Sequence, residues 1–356
     1  MKFKRFFLNE SSTNEFSTSV DLFHTLDRIK EWLEQMGIQN YTINDDGTVD
    51  VDGDVNLLKR NLTVIPIQFG KISGDFLCSR NKLTTLQGAP RIVEGDFECN
   101  NNQLTTLRGA PQEVGGNFSC SNNRLTTLRG APQEVGGNFW CHYNQLTSLQ
   151  GAPQEIDGHF SCSNNSLTTL QGAPRKINGN FWCNSNQLTT LEGAPKVVNG
   201  SFWCENNELT TLKGAPRIVD GIFSCSHNKL TTLRGAPHKI GKSFWCYNNQ
   251  LTTLRGAPQE VGGDFICYRN MLINLQGAPQ EVGGDFICYH NMLTNLQGAP
   301  QYVGGSFLCN NNQLTTLQGA PQVVGDDFSC KNNAKQFTKA DVRAVCEVKG
   351  GIYISK

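Results

Sequence analysis

The sequence predicts a mainly β solenoid. About fourteen stacked coils of 21 residues lay a parallel sheet on the concave face, between a small α/β cap at the N-terminal end and a short helical cap at the C-terminal end. Three observations carry this. Phe recurs thirteen times at a spacing of 21, from Phe76 to Phe328, and Cys follows two residues behind each, from Cys78 to Cys330. Asn stands three residues beyond every one of those Cys, from Asn81 to Asn333. Twelve units then carry Leu-x-x-Leu (Leu83/Leu86 through Leu314/Leu317) and Gly-Ala-Pro (Gly88-Ala89-Pro90 through Gly319-Ala320-Pro321). A period of this length marks stacked units, each too small to bury its own apolar face and completed only by its neighbours.

In chain order, residues 1–54 read as the N-terminal cap, 55–333 as the solenoid and 334–356 as the C-terminal cap. Residues 1–18 are polar and mixed, a loose arm or an edge piece. From Ser19 to Met36, Leu22, Leu26, Ile29, Leu33 and Met36 recur at helical spacing, flanked by Phe23 and Trp32, with Ser19 as N-cap and Gly37 as the stop. Tyr41–Ile43 and Val49–Val51 alternate around Asp45-Asp46-Gly47, a hairpin pattern. Asp50, Asp52 and Asp54 alternate on one side of a strand, with no Glu placed to close a calcium loop, so they read as a solvated strand face. Residues 55–74 are a degenerate coil: Val55 and Leu57 take the Phe and Cys places, Leu62 and Ile65 the two Leu places, and Arg60 replaces the Asn. After Asn333, Thr338 and Asp341 form a capping box, Val342 and Val345 are placed to face the last repeat, and Gly350-Gly351 precedes Ile352-Tyr353-Ile354.

Within a unit, F-x-C-x-x-N-x-L-x-x-L-x-G-A-P-x-x-V-x-G, the Phe, Cys, both Leu and the Val or Ile point inward and stack on their copies. The Asn side chains can bond backbone groups at a bend and form an internal polar ladder. Gly and Pro punctuate the convex return. Thirteen of the fourteen cysteines occupy one inward column, so they read as small core hydrophobes rather than a disulfide framework. No CxxC pair suggests zinc. Unpaired thiols in this number favour a reducing compartment and hence a cytoplasmic location. No stretch approaches the ~20 apolar residues of a membrane span. Lys+Arg and Asp+Glu are both 31, which argues against a general nucleic-acid binder. The six histidines scatter over repeat positions and the core thiols are poor nucleophiles, so no catalytic residue, metal or cofactor is expected.

The string F-x-C-x-x-N-x-L-x-x-L is the leucine-rich-repeat signature with Phe and Cys in the first two Leu places. In unit length the array is similar to the leucine-rich-repeat effectors that some Gram-negative pathogens deliver into host cells. The wording LTTLxGAPxxVxGxFxCxxN, joined to IKEWLEQMGIQNYTINDDGTVDVDGDV and FTKADVRAVCEVKGGIYI, also resembles leucine-rich-repeat-like proteins of large tailed bacteriophages over nearly the whole chain. That resemblance implies a phage-encoded protein acting in the host cytoplasm, but it brings no activity with it.

Function then rests on the residues that face outward from the strand. The column between Phe and Cys holds Trp140, Trp182, Trp203 and Trp245, four of the five tryptophans, followed by Ile266, Ile287 and Leu308. The column just after Cys holds His142, Tyr247, Tyr268 and Tyr289. Together they predict an exposed aromatic and aliphatic stripe, and contiguous apolar surface of that kind marks an interaction site. The expectation is a non-enzymatic module that holds a host or phage protein in its concave face. The alternatives are a structural or assembly spacer, a carbohydrate platform and, third, a surface for single-stranded nucleic acid, which the missing positive charge opposes. The bland alternative is that the aromatics only raise strand propensity and stack between coils.

Overall fold

A computed structural model describes residues 19–354. The arm expected at residues 1–18 lies outside them, as do the side chains of Ser19, Leu22 and Phe23. The chain divides into two compact units, Met1–Leu125 with Arg129–Gly136, and Gly137–Lys356 with Thr126–Leu128.

In the first unit, helix α1 spans Ser19–Met36 as its apolar spacing predicts. Leu33 is fully buried, and Trp32 packs on the Phe69 ring with centroids 6.2 Å apart. The helix stops where Gly37 turns left-handed (φ +77°) and the Ile38 N–H reaches back to Leu33 O at 2.9 Å. Tyr41–Ile43 and Val49–Val51 form the expected antiparallel hairpin, with Gly47 at φ +79°. Its second strand then pairs in parallel with Phe69–Ile72 and starts a sheet continued by Ile92–Val93, Glu113–Val114 and Glu134–Val135. A second parallel sheet runs through Val55–Asn56, Phe76–Leu77, Phe97–Glu98 and Phe118–Ser119. The acidic trio is not a merely solvated face. Asp50 Oδ1 accepts from the Lys71 N–H, Asp52 from the Ser73 hydroxyl and Asp54 from the Asp75 N–H, each 21 residues on.

The second unit repeats the same two parallel sheets in strict register. One runs from Phe139–Trp140 through Phe328–Ser329 to Ile352–Tyr353, the other from Glu155–Ile156 through Val323–Val324 to Glu347–Val348. Helix α2 (Lys339–Arg343) carries the expected capping box between Thr338 and Asp341. Val342 is buried, but Val345 is 42% exposed, contrary to its expected place against the last repeat. It lies beyond the helix C-cap at Ala344, and Cys346 is buried instead.

The core follows the repeat. The Phe rings are fully buried and stacked, for example Phe223 on Phe244 at 5.8 Å and 7°. All fourteen cysteines are free and buried. The Asn ladder forms as expected: Asn207 Nδ2 donates to Cys204 O and, one coil back, Cys183 O (both 3.1 Å), while Oδ1 accepts from the Leu188 N–H at 3.0 Å. The residue before each ladder Asn is left-handed, as at Asn206, His227 and Asn248 (φ +54°, +53° and +52°), which suits the many Asn there.

Two features go beyond the sequence expectation. The return segment is more than a turn, because its Val or Ile sits in a second short strand in every regular coil. A second polar ladder uses the residue before Phe in most coils and is interrupted at Ile222. Asn180 Oδ1 accepts from the Ser201 N–H at 2.7 Å, and Ser201 Oγ from the Ile222 N–H at 2.9 Å.

The Gly of Gly-Ala-Pro is required by the stacking. Gly214 has φ +94°, and a Cβ there would meet Leu191 O and Glu192 N of the previous coil at 2.5 Å. Gly214→Ala is expected to destabilise the fold by about 2 kcal/mol, read as a lower urea midpoint at unchanged circular dichroism. An unchanged midpoint would contradict the close approach.

Candidate functional site

Because Phe and Cys point inward, the residue between them and the residue after Cys stand side by side on the outer face of the first sheet. All eleven residues singled out from the sequence lie in the second unit on that face. Trp140, Trp182, Trp203 and Trp245 alternate with buried Phe and Cys. The stripe is half-buried rather than exposed: each of the eleven is partly covered. The reason lies in two positions that sequence reasoning passed over, Ser161 and Ser224, which separate the tryptophans into pairs. Small side chains there let indoles two coils apart approach each other. Trp140 and Trp182 reach a centroid distance of 5.8 Å, and Trp203 and Trp245 meet edge to face at 5.4 Å. Ser161 and Ser224 are buried, at 6% and 1% exposure.

The neighbouring column continues the aromatic surface. Tyr247, Tyr268 and Tyr289 stack nearly parallel with centroids 4.6 Å apart. Burial between its two neighbours raises the Tyr268 phenol above its ordinary value. His227 closes edge-on against Tyr247 at 5.3 Å. Ile266, Ile287 and Leu308 flank the stack, paired in register. His142 packs edge-on against Trp140 at 6.2 Å, and burial lowers its pKa.

Two functional candidates were missed. His159, from the position before Phe, lies 5.4 Å from Trp182, and its Nδ1 accepts from the Asn180 N–H at 2.9 Å. Glu205, two residues after Trp203, is half-buried, and burial raises its carboxyl pKa. The nearby Ser224 hydroxyl, the backbone and His227 oppose that shift without cancelling it. A lone carboxylate in a column otherwise of Ser, Asn and Tyr, with one His and one Lys, was the available signal. Among the described residues, no group of three or more His, Cys, Asp or Glu is placed to hold a metal, and no helix is long and apolar enough to cross a membrane.

No family model and no curated protein sequence matches the chain. Solved structures do. YopM from Yersinia pestis, described as a leucine-rich effector protein, is 18% identical with a TM-score of 0.51, covering 84% of this chain and 88% of that one. The fold is a leucine-rich-repeat solenoid. YopM from Yersinia enterocolitica is 16% identical with a TM-score of 0.44, over 87% and 82% of the two chains. A domain of InlJ from Listeria monocytogenes, described as including a cysteine ladder, is 15% identical with a TM-score of 0.39, over 80% and 75%. As a leucine-rich-repeat array, the chain departs from the usual signature by filling the first two Leu columns with Phe and Cys. The outer columns beside them differ from coil to coil.

Proposed function

We propose that this chain is a non-enzymatic protein-binding module whose partner sits on the aromatic face of the second unit, with Trp140, Trp182, Trp203 and Trp245 as anchors. The observation that carries the reading is the grouping of four tryptophans and three stacked tyrosines on one outer face, where the core needs none of them. Large, rigid, amphipathic rings give contact area at little entropic cost, and Trp and Tyr dominate binding hot spots. The resemblance of the repeat wording to tailed-phage proteins supports a host protein as partner, a defence component among the candidates, held by occlusion in the host cytoplasm. The column of free thiols supports that reducing location.

The test is affinity capture from host lysate, comparing the wild-type chain with the Trp182→Ala/Trp203→Ala double variant. A specific protein retained by the wild type should bind the variant at least thirty-fold more weakly, about 2 kcal/mol, with circular dichroism and thermal unfolding unchanged. Equal retention would remove the aromatic face from the function. Retention of sugars or virion components alone would move the assignment to the carbohydrate or spacer reading.

A further inference from the structure

The two tryptophan pairs are built on the same plan but differ in one respect. Each pair brackets a coil that is Ser-x-Ser on the outer face: Ser161 and Ser163 between Trp140 and Trp182, Ser224 and Ser226 between Trp203 and Trp245. In the first, the hydroxyls are satisfied internally. Ser161 Oγ donates to Ser163 Oγ at 3.4 Å, and Ser163 Oγ donates to Asn184 Oδ1 at 2.7 Å. In the second they are not. Ser224 Oγ, Ser226 Oγ, Trp245 Nε1 and Glu205 Oε2 are all buried without a hydrogen-bond partner. Both serines are essentially inaccessible, at 1% and 0% exposure.

Buried polar atoms left without a partner are costly, about 1–3 kcal/mol each where nothing replaces the lost water. Such a cluster is uncommon in a folded core. Here it includes a carboxyl that burial drives toward its neutral form, two residues along the chain from Trp203, and indole faces attract cations. The surroundings share the sign. In the coils from Phe202 to Phe307, the positions flanking Phe and the two after Cys carry three carboxylates (Glu205, Asp264, Asp285) against one guanidinium (Arg269).

We infer that Glu205, beside Trp203 on the outer face, is the seat for a basic side chain, arginine or lysine, presented by the protein that this face binds. A guanidinium or ammonium group supplies donors to the carboxylate, and its charge keeps Glu205 ionised where burial otherwise opposes it. The Trp140/Trp182 pair, whose serines are already bonded, lacks the carboxylate and offers no such seat. This inference rests on the protein-binding reading of the face and specifies the chemistry of the partner at one position.

The test uses the full chain, with the indole N–H resonances of its tryptophans as reporters. It is titrated with N-acetyl-arginine amide, N-acetyl-lysine amide and the neutral isostere N-acetyl-citrulline amide. The two cations are expected to shift the Trp203 and Trp245 signals saturably. Citrulline should bind at least ten-fold more weakly, and Glu205→Gln should weaken the cations at least five-fold with its other amide signals in place. Equal binding of citrulline, no effect of Glu205→Gln, equal movement of Trp140 and Trp182, or no saturable shift would each overturn the seat. Partner capture separates this from the wider reading. If Glu205→Gln retains the partner fully while Trp182→Ala/Trp203→Ala loses it, the seat fails and the face stands; if both retain it, the face itself fails.

Discussion

Under reducing conditions the protein is expected to lose its fold steeply as the pH rises above about 9. The thiols of Cys99, Cys183, Cys204, Cys246, Cys288 and others are held well above their ordinary pKa by burial, reinforced in places by the neighbouring thiols of the column. Cys330 and Cys346, nearer the C-terminal cap, are pushed up to about 11. In the unfolded chain the same groups ionise near pH 8.5. The native state therefore keeps protons that the unfolded state releases. This stability is fully present below the unfolded value and is lost as pH climbs toward the folded one. Each thiol contributes a slope of about 1.4 kcal/mol per pH unit. A cooperative segment of only four coils would thus lose about 5 kcal/mol per unit, which few domains survive. Tryptophan fluorescence against pH, at several urea concentrations, measures this directly. A urea midpoint unchanged from pH 8 to pH 10.5 would refute it.

Asn207→Asp is expected to destabilise the array by about 4 kcal/mol. The wild-type amide donates to Cys204 O and Cys183 O. A carboxylate of the same shape faces both carbonyls with no donor to offer, in a site only 6% exposed. Asn206→Asp is the control. Its side chain is exposed and its left-handed backbone tolerates Asp, so the change should stay within about 0.5 kcal/mol. Because each coil is held mainly by its neighbours, amide exchange should accelerate first in the coils around Asn186, Asn207 and Asn228. Equal effects of the two substitutions would show that the ladder contributes little.

The fold was legible because its information is periodic. Phe, Cys, Asn and Leu at fixed offsets specify which side chains stack on their own copies, and α1 and the hairpin each carry ordinary local patterns. The second sheet was not legible: strands of two residues, such as Lys176–Ile177, are too short to show alternation. The ladder before Phe was hidden for a different reason. Asp264, Asn180, His159 and Ser201 look unrelated, and what they share is a short acceptor atom within reach of the next coil's N–H. At the candidate site, the column arithmetic found the aromatic residues but overstated their exposure. Burial there depends on what stands two coils away, and Ser161 and Ser224 alter the answer by what they lack. Glu205 was overlooked because a single carboxylate in a neutral chain has no periodic signature.

The hydrogen-bond hand-over from coil to coil also bears on how such a gene can change. Asn228 joins Cys225 to Cys204 as Asn207 joins Cys204 to Cys183. Along the Asn ladder the junctions repeat the same donors and acceptors, so an unequal crossover that adds or removes 21 codons rejoins compatible surfaces. One that adds or removes 20 or 22 puts Phe where the outer face should be. Number of coils is thus a cheap heritable variable, and the near-identical neighbours containing Gly262–Tyr268 and Gly283–Tyr289 have the form such an event leaves. A lineage could slide the tryptophan pairs along the array, or space them further apart, without inventing a new fold.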